Sequence, residues 1–138
     1  MRQTLLGLVA ALALVGAVRA QDVLPPEPGI EATIQSQIDA FLRDDLETAF
    51  GYSAPSIQGM FQTPDNFGAM VRNGYPMVWR PEDLRFGDLV DLPGGVAQTV
   101  IVTDAAGVEH WLEYRMTRTG EGWLIAGVRI VEAPGLSA

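Results

Sequence analysis

Cysteine and lysine are missing altogether from the 138 residues, histidine occurs once, and no two basic residues stand side by side. Without cysteine no disulfide can brace the fold, which must stand on its apolar core. A lone histidine, His110, supplies no histidine pair for zinc, and no Ser-His-Asp spacing can be assembled around it. The missing basic clusters argue against nucleic acid and anionic membrane surfaces as partners. Asp44-Asp45-x-Glu47 lacks the glycine turn and ligand spacing of a calcium loop, and Gly120-Glu121-Gly122 has neither the lysine nor the following helix of a phosphate loop. No metal or cofactor is expected.

Long apolar runs are also scarce. The one present, Leu5 to Val18, follows Arg2 and ends at Val18-Arg19-Ala20, where small residues occupy the positions a signal peptidase reads. At about 14 residues it falls short of the ~18–20 needed to cross a bilayer. Residues 1–20 are therefore expected to be a cleaved secretory signal. Cleavage after Ala20 leaves 118 residues with seven arginines against all 17 acids, a net charge of −10. That length suits one domain. The absence of lysine fits the codon bias of a GC-rich bacterium, and in such a cell the address of an exported domain is the periplasm. No membrane association is expected after cleavage.

Residues 21–29 contain three prolines and read as an extended spacer, residues 30–132 as the domain, and 133–138 as a tail. Ile30, Ile34, Ile38, Phe41 and Leu42 recur at helical spacing, with Glu31 in the first turn. Asp44 with Glu47 reads as a capping box for a helix burying Leu46, Ala49 and Phe50. Thr63-Pro64-Asp65 starts another, with Phe67, Met70 and Val71 inward and Asn73-Gly74 as its stop. After Pro76 the apolar period becomes two. Turn signals at residues 93–95, 105–107 and 119–122 separate strands at 84–92, 96–104, 108–118 and 123–131. Links this short allow only an antiparallel meander. Helices gathered before a meander give an α+β fold, with N-terminal helices packed on one face of the sheet.

The order of a long first helix, short helices and a terminal meander, closing on Trp123-Leu124-Ile125-Ala126-Gly127, resembles the nuclear transport factor 2-like superfamily. Gln98, Asp104 to Gly107, Trp111 and Tyr114, with that closing run, also resemble an exported bacterial family of domain of unknown function, DUF4864. The superfamily resemblance implies a curved sheet whose concave face curls around the first helix and leaves a cone-shaped cavity. It leaves function open, because the superfamily includes isomerases, dehydratases, transport factors and silent binders.

Pairing the residues that flank each turn sets Leu92 against Val96, Asp104 against Val108 and Thr119 against Gly122. Alternation then sends Phe86, Val90, Leu92, Val96, Val100, Val102, Leu112, Met116, Trp123, Ile125 and Val131 to the inner face. Asp88, Gln98, His110, Tyr114 and Arg129 are the polar residues among them, and Tyr52, Tyr75 and Trp79 offer an aromatic rim. Two readings of the five polar groups stand side by side: ion pairs and cross-strand hydrogen bonds of a plain core, or convergent groups in an apolar ligand cavity. The outer face receives Ile101, Trp111, Leu124, Val128 and Ile130 among Thr99, Thr103, Glu109, Glu113 and Arg115, a stripe suited to a homodimer contact. The expected function is non-catalytic binding of a small apolar or amphipathic molecule. The alternatives are a homodimeric interaction module acting through Ile101, Trp111, Val128 and Ile130, and a metal-free isomerase or dehydratase using Asp88 with Tyr114.

Overall fold

A computed structural model describes residues 22–120 and 122–134. The expected signal segment lies outside those residues, as does most of the expected tail. The chain runs β1 (Val23–Leu24), α1 (Pro28–Leu42), α2 (Leu46–Gly51), α3 (Pro55–Phe61), α4 (Pro64–Gly74), α5 (Pro76–Trp79), then β2 (Asp83–Leu92), β3 (Gly95–Thr103), β4 (Glu109–Thr119) and β5 (Gly122–Val131). The strands form one antiparallel sheet in the order β1-β2-β3-β4-β5, so the α+β meander expected from the sequence is the observed fold. Among the described residues no helix is long and apolar enough to cross a membrane.

Two expectations at the N-terminal end need correction. The stretch read as a spacer pairs Val23 and Leu24 with Val90 and Leu89 at the sheet edge, because the dipeptide beside an unpaired strand gains ladder bonds, and Leu24 also packs against the core while Val23 stays exposed. Helix α1 also begins earlier than Ile30. Pro28 takes the first helical position, where its missing donor costs nothing, and the Glu27 side chain accepts from the Gly29 amide.

Ile30, Ile34, Ile38 and Phe41 form a fully buried stripe along α1, as their spacing requires. The helix ends in a Schellman closure, with the Asp45 amide on the Ala40 carbonyl and the Asp44 amide on that of Phe41. Asp44 takes φ 59° there, a conformation that aspartate tolerates better than most residues. The cap of α2 is therefore Asp45, accepting from the Thr48 amide, rather than Asp44. Asp44 pairs instead with Arg80, which also donates to the Phe41 carbonyl.

Helix α4 starts and stops where its residues indicate: Thr63 caps it by accepting from the Asn66 amide, and Phe67 and Val71 are buried. Helix α3 is not among the expected elements, although Ala54-Pro55 places a proline at a first helical position and Ile57, Met60 and Phe61 follow at helical spacing. Nor is α5, a single turn begun by Pro76.

Two bulges govern the sheet. Hairpin β2–β3 is tighter than expected, with Leu92 opposite Gly95 and Gly94 supplying φ 84° in the two-residue turn. Farther along, Phe86 stands opposite Val100 and Leu89 opposite Gln98, so Gly87 and Asp88 share a single partner. As a result Leu89 is buried inward, whereas Val90 and Leu92 lie on the outer side with Ala97 and Gly95, against expectation. The β4–β5 hairpin opens with Thr119 opposite Gly122, as expected, but a second bulge between Arg115 and Met116 inserts Ala126. Every β5 residue beyond it changes face: Val128 and Ile130 join the inner side, and Arg129 and Val131 the outer. The β3–β4 register, with Asp104 against Val108 and Trp111 outward, holds.

Phe41 is wholly buried, with ring centroids 5.9 Å from Phe67 and 5.5 Å from Trp79. Phe41→Ala should cost about 3–5 kcal/mol, because the rigid walls around it close poorly on the void. Chemical denaturation of the purified domain measures this, and an unchanged midpoint would show that α1 packs elsewhere.

Candidate functional site

Between the inner sheet face and helices α1, α3, α4 and α5 lies a cavity of about 220 Å³. Sheet residues Tyr114, Ile125, Gly127 and Val128 form its floor, and Phe41, Phe67, Val71 and Val78 wall it from the helices. Ile57, Met60, Phe61 and Met70 complete the wall, and Met60, 68% exposed, stands at the mouth. Gln37, Ser53, Tyr75 and Tyr114 bring the polar atoms.

Most of those atoms are held in place. Gln37 Nε2 donates to the Ala49 carbonyl at 3.0 Å and lies 3.5 Å from Ser53 Oγ. Ser53 sits in a one-residue parallel bridge to Ile125, where the Ala54 amide donates to the Ile125 carbonyl and the Ile125 amide to that of Tyr52. Gln58 Nε2 ties the Phe50 and Ser53 carbonyls, fixing the link between α2 and α3. The Tyr75 hydroxyl donates to the Val128 carbonyl at 3.0 Å, on the free side of β5. Tyr114 differs. It is completely buried, yet its hydroxyl has no hydrogen-bond partner among the described residues. Burial, with the Tyr75 phenol adding to it, pushes that hydroxyl well above the ordinary tyrosine range, so it remains a neutral donor.

The mouth carries backbone strain. Between α3 and α4, Gln62 takes φ 72° and ψ −40°, and the Thr63 amide bonds to the Phe61 carbonyl across it. A γ-turn of this hand is uncommon and costly for a side-chain-bearing residue.

Of the eight candidate residues, Tyr114 and Tyr75 line this cavity. Gln98 is buried on the inner face as expected and stands opposite Tyr114, but it serves the β2 bulge, its Nε2 donating to the Gly87 and Thr99 carbonyls. Asp88 lies exposed in that bulge, so it does not meet Tyr114 in the cavity. Arg129, turned outward by the β5 bulge, pairs with Glu113 at 2.7 Å instead of sharing a pocket with Tyr114. Trp79 packs on Phe41 and lies beneath the guanidinium groups of Arg80 and Arg72, at 4.6 and 5.6 Å from its centroid. Tyr52 borders a shallow groove with Trp123 and Arg118 on the other side of the Ser53 bridge. On the outer face Ile101 is buried, with Trp111 beside it, and the Arg85–Glu109 and Arg129–Glu113 pairs interleave them. The outer stripe thus lacks the Val128 and Ile130 assigned to it.

Gln37 on α1 and Ser53 in the α2–α3 link were missed from sequence. Gln37 carried a signal, being an amide one residue from Ile38 in the apolar stripe; Ser53 carried none, since its burial depends on the bridge to Ile125.

His110 belongs to a turn rather than to the cavity. Its Nε2 lies 2.8 Å from Asp104 Oδ2, while Asp104 Oδ1 accepts from the Ala106 and Val108 amides. The His110 bond first, and the amide bonds after it, hold the Asp104 carboxyl below its ordinary value. A carboxyl lowered in the folded state contributes stability that is present above its unfolded pKa and lost as the pH falls through the folded one. Asp104→Asn should therefore be less stable than the parent at about pH 6, with the gap narrowing by about pH 2. Denaturation at both values checks the sign, and a constant gap would assign the effect elsewhere.

Compared with known protein families, residues 24–138 match the family described as Domain of unknown function (DUF4864). No curated protein and no solved structure matches the chain.

Proposed function

We propose that this chain, which belongs to the DUF4864 family, is an exported domain that binds a small apolar or amphipathic molecule without transforming it. The observation that carries this reading is the cavity itself, apolar on nearly every side and broken by a few fixed polar groups. Its two ionisable residues are both tyrosines, and no carboxylate or histidine lines it as an acid or base. The helices over one curved sheet face are in keeping with the nuclear transport factor 2-like plan, in which this face holds the pocket.

Volume limits the ligand. An engineered apolar cavity of about 150 Å³ takes benzene, and drug-sized pockets run from about 300 Å³ upward. A space of about 220 Å³ suits one ring with a short substituent, or a short branched chain. Native mass spectrometry of protein purified from its own host should show a bound small molecule. Toluene at a hundred times its Kd should stabilise the domain by about 2.7 kcal/mol. Val128→Phe, which fills the floor of the cavity, should abolish that gain while preserving the fold. A toluene response equal in parent and variant would place binding elsewhere.

Export belongs to the same proposal and rests on the Val18-Arg19-Ala20 boundary. The intact mass of protein made in a secreting host should correspond to a chain beginning at Gln21. Recovery of the full-length chain in the membrane fraction would overturn it.

A further inference from the structure

We propose that the cavity selects an uncharged ligand carrying a hydrogen-bond acceptor, such as a ketone, ester or amide, and that the Tyr114 hydroxyl is the group that reads it. This rests on the cavity-binder reading above and specifies its ligand class.

The argument starts from an orphaned donor. Buried polar groups are nearly always hydrogen-bonded, and leaving one unmade costs as much as desolvating it. The Tyr114 hydroxyl has no partner among the described residues, and its residue lines the floor of the cavity. Cross-strand, Tyr114 faces Gln98 on one side and Val128 on the other. Gln98 directs its amide donors to Gly87 and Thr99, and the Val128 carbonyl is taken by Tyr75. Gln98 Oε1, opposite, is likewise buried without a partner among the described residues and makes no bond with the Tyr114 hydroxyl, which is left to a third group. A ligand acceptor completes it.

Charge is excluded by the same walls. None of the lining residues is acidic or basic, so a carboxylate or ammonium would shed its hydration with no counter-ion in return. The domain's acidic surface repels anions further. Held neutral by burial, the phenol can donate to a carbonyl but cannot balance a charge.

Calorimetric titration with acetophenone, ethylbenzene and benzoate tests this, since all three share a ring of suitable size and differ in head group. At neutral pH acetophenone should bind at least about tenfold more tightly than benzoate. Tyr114→Phe should weaken acetophenone about fivefold and leave ethylbenzene unchanged, the ethylbenzene value doubling as proof of fold. In the parent protein the carbonyl stretch of bound acetophenone should move to lower wavenumber than in hydrocarbon solvent, a readout that stands even if the variant fails to fold. Benzoate binding as tightly as acetophenone, or an unshifted carbonyl, would overturn the assignment. Ethylbenzene binding unaccompanied by any advantage for the ketone would remove the head-group inference and leave the cavity-binder reading intact. If none of the three binds, both fall.

Discussion

Everything in this domain is arranged around the apolar stripe of α1 lying on the inner face of the sheet. Ile30, Ile34, Ile38 and Phe41 are all at or near zero exposure, and so are Val100, Val102, Leu112, Tyr114 and Met116 opposite them. With no disulfide and no metal ligand cluster among the described residues, this contact and its extensions carry the fold. Apolar burial contributes about 25 cal/mol per Å², so the two surfaces hold together only when closely matched. A straight helix on a curved sheet is matched along only part of its length, and the shorter helices close the remainder. They leave a gap where α3 and α4 meet β5.

That gap depends on the β5 bulge. By inserting Ala126, the strand turns Val128 inward to the cavity floor and sends Arg129 outward to Glu113. Without the extra residue, a guanidinium would point into the space now lined by Val128, and the cavity would carry a positive charge. Bulges of this kind re-aim side chains near sites. Here one residue separates a neutral pocket from a charged one. The β2 bulge acts in parallel, expelling Asp88 while the Gln98 amide secures the Gly87 carbonyl.

The cavity also joins rigid and adaptable parts. Tyr75, Gln37, Ser53 and Gln58 are fixed by hydrogen bonds to backbone carbonyls or to one another, which ties the floor and the α2–α3 link. Met60 and Met70 at the other end are unbranched and polarisable, able to adjust to the outline of a guest. The strained Gln62 turn lies between the two helices that supply them. Such an arrangement sets fixed polar points within a compliant apolar wall, as the proposed binding requires.

The residues alone determined the α+β class, the stripe of α1, the Thr63 start of α4, the meander and the β3–β4 register, because each follows from local periodicity, capping or turn chemistry. They also placed Gln98 and Tyr114 inward. The faces of Val90, Leu92, Val128, Arg129, Ile130 and Val131 were not legible, since alternation carries a face along a strand only until a bulge breaks the count, and neither bulge has a local signature strong enough to announce itself. Gly87 in β2 was the nearest hint. Ser53 and α3 entered the site through contacts with β5 more than 60 residues away in sequence, across a separation that no local pattern spans. The chain could thus specify which surfaces must be buried, but where they fail to meet, and so where the cavity lies, was decided by the tertiary packing of short helices on a sheet bent by its own extra residues.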